Sequence, residues 1–96
     1  MKKLELVTSK REDILCLARK HGAERIRLFG SSARSQDSET SDIDLLVKME
    51  PGRSLIDSGA LLMDMEALLG CRVDLVSENG LRPRFRERIE ADAVAL

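Results

Sequence analysis

A Gly-Ser pair at positions 30 and 31, followed by ten residues and then Asp42-Ile43-Asp44, ties the ends of two short strands to one place in this 96-residue chain. No other feature constrains the fold as much. The run Arg25–Phe29 alternates polar and apolar side chains and predicts a strand with Ile26 and Leu28 on one face. Gly30 stops that strand and lets the backbone turn sharply. The stretch Arg34–Ser41 is polar, lacks apolar periodicity and predicts a surface loop that returns the chain to the sheet. Asp42–Val47 then predicts a second strand with Ile43, Leu45 and Val47 on one face; because Leu46 is apolar too, Leu45–Val47 reads as buried on both sides, in mid-sheet.

The residue types at the two strand ends are suited to phosphate and to a hard cation. Gly30 allows close approach of a bulky ligand, and Ser31 and Ser32 offer hydroxyls and backbone N–H groups. A short helix opening at Ser32–Arg34 would turn its amide end toward an anion, with the Arg34 guanidinium as a further donor. Asp42 and Asp44, at i and i+2 of an extended strand, point to the same side roughly 6–7 Å apart and could share one Mg²⁺. A third acid, Asp74, lies in the β-branched run Arg72–Val76, where an unpaired buried carboxylate would be costly. Paired beside the second strand, it would complete a set of three carboxylates able to hold one or two metal ions and to position and deprotonate a hydroxyl. Crowding predicts a raised pKa for at least one of the three without a cation. The bland alternatives are a simple Gly-Ser turn, Asp42 capping a loop, Asp44 as a solvated strand end, and Asp74 on an edge strand in water or paired with a base such as Arg72.

Together, GSSARSQDSETSDIDLLV and LLGCRVDLVS resemble the minimal nucleotidyltransferases of the DNA polymerase β-like superfamily, which carry Gly-Ser, ten residues, Asp-x-Asp and a third acid on a later strand. The tail GLRPRFRERIEADAVAL is similar to the usual ending of that family, and the resemblance covers roughly residues 10 to 96. It departs at Ser35, where many members have glycine. What it implies is an α/β nucleotidyltransferase fold with a small mixed sheet flanked by helices. Gly30 and Ser31 would grip the triphosphate, Asp42 and Asp44 would be metal ligands, and Asp74 the third catalytic carboxylate. It further implies Mg²⁺ as cofactor, ATP as donor and a HEPN-domain toxin as partner, since small stand-alone members commonly act as antitoxins that transfer AMP to such a toxin.

Composition narrows the partners. Sixteen basic and seventeen acidic residues leave no global charge that would draw the chain to nucleic acid, and two Phe with no Trp or Tyr offer few stacking platforms for bases. Direct nucleic-acid binding is therefore not expected. The lack of Tyr also means that a tyrosine acceptor would have to lie on another chain. Cys16 and Cys71 read as reduced core thiols of a cytoplasmic protein, not as a disulfide, and no stretch suggests a membrane span or signal peptide. The length predicts a single domain over residues 1–96.

The remaining pattern is scaffold. Ser9 and Glu12 predict a capping box for a helix with an Ile14, Leu17, Ala18 stripe that stops at Gly22, with His21 as a charge complement at its end. Ser54 and Asp57 start another helix whose apolar face is predicted to include Ile56, Ala60, Met63 and Ala67, with Gly70 as its stop. Met63 and Met65 read as core or interface filler. Pro83 opens a last helix with Arg82, Arg84, Arg86 and Arg88, a solvated face or a surface for nucleotide or partner, with a brief strand at Val94 after it. The predicted order is helix, strand, strand, helix, strand, helix, the first two strands antiparallel and the third parallel to its neighbour. A Mg²⁺-dependent protein adenylyltransferase is the leading expectation. A binding-only antitoxin and the catalytic subunit of a small-molecule, aminoglycoside-type nucleotidyltransferase are the alternatives, and homo-oligomer and hetero-oligomer with the toxin both stay open.

Overall fold

The computed structural model describes residues 2–34 and 42–96; Ser35 and nearly all of the polar loop Arg34–Ser41 lie outside the described residues. Helices α1 (Lys3–Ser9) and α2 (Arg11–Lys20) precede strand β1 (Ala23–Phe29) and the single turn α3 (Gly30–Ala33). Strand β2 (Ile43–Met49), helix α4 (Leu55–Leu69), strand β3 (Val73–Ser77), a 3-10 turn (Glu78–Gly80), helix α5 (Pro83–Asp92) and the short strand β4 (Val94–Ala95) follow.

The sheet order is β3-β2-β1-β4. β1 runs antiparallel to β2 and to β4, while β2 and β3 are parallel, because α4 carries the chain back across the sheet between them. This is the mixed sheet expected from the loop and crossover lengths. β2 is central, and Leu45, Leu46 and Val47 are buried. The helix-side face of the sheet supplies Ile26, Leu28, Ile43, Leu45 and Val47, which pack with Val7, Ile14 and Ala18 of α1 and α2 and with Leu61, Met65 and Leu69 of α4. His21 Nε2 lies 2.6 Å from Asp64 Oδ2, so the side chain at the end of α2 clamps α4, and that contact holds the Asp64 carboxyl below its ordinary range.

Helix α4 begins and ends as its sequence predicts. Ser54 and Asp57 form a reciprocal capping box and Gly70 caps the C-terminus in the left-handed region at φ 70°. Its buried face is the correction. Leu61, Met65 and Leu69 point inward, whereas Ile56 and Met63 are 83% and 72% exposed and Ala67 is also at the surface. The helix carries apolar residues on both sides, so periodicity could not say which stripe meets the sheet. The predicted Ser9–Glu12 box does not form either: Lys10 is the N-cap of α2, and Ser9 ends α1 with its hydroxyl donating to the Leu6 carbonyl at 2.7 Å. Cys16 is exposed, not core, and Cys71 is partly buried; both are free thiols.

The opposite face of the sheet is covered thinly. α5 has no buried residue and is fastened over that face by charge: Arg86 to Glu78 at 3.6 Å, Glu90 to Arg27 at 3.2 Å and Asp92 to Arg34 at 2.5 Å. Its arginines are thus partly committed, Arg86 to acids and Arg84 to the face of Phe85 at 5.1 Å.

Candidate active site

Strand register places the acids. Asp44 pairs with Phe29 of β1 on one side and with Asp74 of β3 on the other, so the two carboxylates project from adjacent strands at the same level. Asp42 stands one residue ahead of β2, where Ile43 N–H bonds the Arg72 carbonyl at 3.0 Å and fixes the lead-in to the strand. Asp42 and Asp44 are partly buried. Asp74 is exposed on the edge strand, contrary to the buried position inferred from its hydrophobic neighbours, because β3 has only one strand beside it. Burial raises the Asp44 carboxyl above the ordinary aspartate range, the charges of Asp74 and then Asp42 raise it further, and Arg34 opposes them. Among the described residues, no three carboxylate, imidazole or thiol groups close into a ready metal cage.

The Gly30 corner abuts this cluster. Gly30 has φ 74°, and a Cβ there would run into the Asp44 carboxylate, so glycine is required both by the backbone and by the close approach of the acid. Ser32 is fully buried and its hydroxyl donates to the Asp42 carbonyl at 3.4 Å, which pins the one-turn helix to the start of β2. Ser32 therefore sits in the framework, while Ser31 is partly open. α3 is only four residues long, so any anion grip rests on individual N–H and O–H groups more than on a helix dipole. Gly30→Ala is expected to cost about 1–2 kcal/mol from the left-handed backbone and to displace Asp44. Urea denaturation reads the stability, and an unchanged midpoint would show that neither constraint matters.

Arg34 is close enough to act on Asp44 electrostatically, yet it pairs with Asp92 at the end of α5. A cleft of about 500 Å³ opens beside it, bordered by Phe29, Gly30, Arg34, Ile89 and Asp92. Two acids escaped the sequence reading. Asp92 is a carboxylate in the last turn of a helix, the end that disfavours negative charge, which is a readable signal of an external partner. Glu78 gave no such signal, since an acid ahead of Asn79-Gly80 looks like any solvated turn.

Residues 10–96 match the profile of the nucleotidyltransferase domain family. The chain belongs to that family. It is a nucleotidyltransferase, an enzyme that works on a nucleotide substrate, and the fold implied by the resemblance is the one observed. A relative from Methanocaldococcus jannaschii, provisionally named a protein adenylyltransferase, is 42% identical over 81 residues, covering 84% of this chain and 87% of the relative. The protein adenylyltransferase MntA of Thermococcus cleftensis is 37% identical over 78 residues, covering 81% and 79%. A solved structure described provisionally as a minimal nucleotidyltransferase superimposes with a TM-score of 0.90 at 50% identity, over 100% of this chain and 97% of the other. The complex of a tri-AMPylated Shewanella oneidensis HEPN toxin with its MNT antitoxin matches with a TM-score of 0.70 over 92% of this chain and 69% of the other; at 21% identity the likeness is one of fold. No helix among the described residues is long and apolar enough to cross a membrane.

Proposed function

We propose that this chain is a Mg²⁺-dependent protein adenylyltransferase that moves AMP from ATP to a HEPN-domain toxin and so acts as its antitoxin. The observation that carries the reading is the level pairing of Asp44 with Asp74, with Asp42 just ahead of the strand, against a glycine corner that leaves room for phosphate. The donor set fits a hard divalent cation: only carboxylate oxygens are offered, and their mutual repulsion at Asp44 is the imbalance such a cation relieves. Asp42, Asp44 and Asp74 would hold Mg²⁺, which when bound neutralises charge on the phosphate oxygens.

The remaining work falls to the chain itself. Gly30 and Ser31 bind the β- and γ-phosphates through N–H and hydroxyl groups, Ser32 keeps that turn in place, and Arg34 offers a bidentate guanidinium. Asp74, at the open sheet edge, is the carboxylate an incoming hydroxyl reaches first, and its oxygen accepts the hydroxyl proton. The freed oxygen bonds to the α-phosphorus in line as the bond to pyrophosphate breaks. With no Tyr in the sequence, a tyrosine acceptor comes from the partner. Residues 1–96 act as one domain in this scheme, and the free thiols suit the cytoplasm.

A binding-only antitoxin is the second reading, favoured by one observation. Leu55, Ile56 and Met63 form an exposed apolar stripe on α4, at 89%, 83% and 72% accessibility, which suits a protein partner more than solvent. Mass spectrometry of a co-expressed HEPN toxin decides between them. An added AMP on the toxin, dependent on ATP and Mg²⁺, is expected; a neutralised but unmodified toxin would favour binding alone. Ile56→Asp with Met63→Asp is expected to weaken the complex at least tenfold on size-exclusion titration while leaving the fold melting normally. A complex indifferent to both changes would move the docking surface elsewhere.

A further inference from the structure

The end of α5 carries an acid in the wrong place for its own helix. Asp92 is the last residue of α5, where exposed carbonyls repel a carboxylate and the last turn holds no basic residue; Arg86 of the helix pairs with Glu90 at 3.3 Å. The compensation comes from outside the helix. Arg34 Nη1 lies 2.5 Å from Asp92 Oδ2, with both side chains part-exposed, at 44% and 33%. The same guanidinium follows directly from the Gly30 corner and borders the cleft that Gly30 shares with Ile89 and Asp92. One cation is therefore within reach of two anionic sites, the carboxylate that ends α5 and the place assigned above to the nucleotide phosphates.

We propose that Asp92 is a built-in competitor for the nucleotide: its carboxylate holds Arg34 in the free chain, and a phosphate must take the guanidinium from it. This rests on the proposed function of the Gly30 site. The exchange is easy because a part-exposed ion pair is weak, whereas a phosphate accepts two charge-assisted hydrogen bonds from the same planar group. Asp92 is a positioning residue in this scheme. Its release would also remove one of the three charge contacts that fasten α5 over the sheet, so nucleotide binding and the seating of α5 are coupled.

Calorimetric titration of ATP with Mg²⁺ into the wild type, Asp92→Asn, Arg34→Gln and the double variant tests this. Asp92→Asn is expected to tighten ATP by about two- to fivefold, the size of a surface ion pair released. Arg34→Gln is expected to weaken it, and Asp92→Asn is expected to have no effect when Arg34 is already gone. An Asp92→Asn chain that binds ATP no more tightly than wild type overturns the exchange, as does an equal gain in the Arg34→Gln background. Should Asp92→Asn fail to fold, hydrogen exchange in the wild type decides: ATP should speed exchange at residues 88–92, and slower or unchanged exchange there overturns the proposal. A wild type that binds no ATP removes the underlying reading as well, so the two failures are told apart.

Discussion

Asp42→Asn combined with Asp44→Asn is expected to lower AMP transfer by about a hundredfold to a thousandfold or more while the chain stays folded. Asparagine keeps the shape of each side chain but removes the charge that would hold a cation. The folded-state pKa of Asp44 is raised above its unfolded value, first by burial and then by Asp74 and Asp42. Ionised Asp44 therefore costs stability, a cost absent below the unfolded pKa and fully present once the pH exceeds the folded one. Replacing it with asparagine should leave the melting temperature at neutral pH equal to or above that of wild type. Transfer measured with labelled ATP and a thermal melt check both halves. Retained transfer would remove the acids from catalysis, and a large fall in melting temperature would recast them as structural.

Glu78→Ala is expected to be clearly destabilising. Glu78 is 2% exposed and accepts two hydrogen bonds from Arg25, at 2.6 and 3.1 Å, with Arg27 at 3.2 Å and Arg86 at 3.6 Å. One carboxylate thus ties the 3-10 turn after β3 to β1 and to α5. Removing it leaves Arg27, itself only 15% exposed, facing Arg25 and Arg86 with less counter-charge. Because Arg25 and Arg86 are about half-exposed, the loss is smaller than for a fully buried pair, at about 1–3 kcal/mol, a fall of several degrees or more in melting temperature for a domain of this size. A fall of only a degree or two would mean that water replaces the carboxylate at little cost.

The pH dependence follows from the same contacts. The hydrogen bond from Arg25 and the charges of Arg27, Arg25 and Arg86 hold the Glu78 carboxyl below its ordinary value of 4.5. Its contribution is therefore present above that value and lost as the pH falls through the lower, folded-state pKa. Wild-type stability should drop across this acid window, and Glu78→Gln should flatten that part of the curve. Matching acid slopes for the two chains would assign the titration to other groups.

The strands, their directions and the meeting of the Gly30 corner with Asp42 and Asp44 could be read in advance, because period-two patterning, a glycine stop and a ten-residue return are local signals that burial reinforces. The caps of α4 were legible for the same reason: Ser54, Asp57 and Gly70 satisfy backbone groups within a turn of themselves. Which stripe of α4 would be buried was not, since both sides are apolar and only the sheet beneath selects Leu61, Met65 and Leu69. Nor was the exposure of Asp74, which depends on β3 having a neighbour on one side only.

The long-range charge contacts were out of reach of any local pattern. Glu78 and Arg25 are 53 residues apart, and Asp92 and Arg34 are 58 apart; nothing near either acid names its partner. Sequence by itself determined the strands, the glycine bend and the kind of chemistry three aspartates can support, because those properties reside in single residues and short spacings. Tertiary structure alone decided which apolar face is covered, which acid meets water and which arginine each distant carboxylate holds, because burial and ion pairing are settled by where separate segments come to rest.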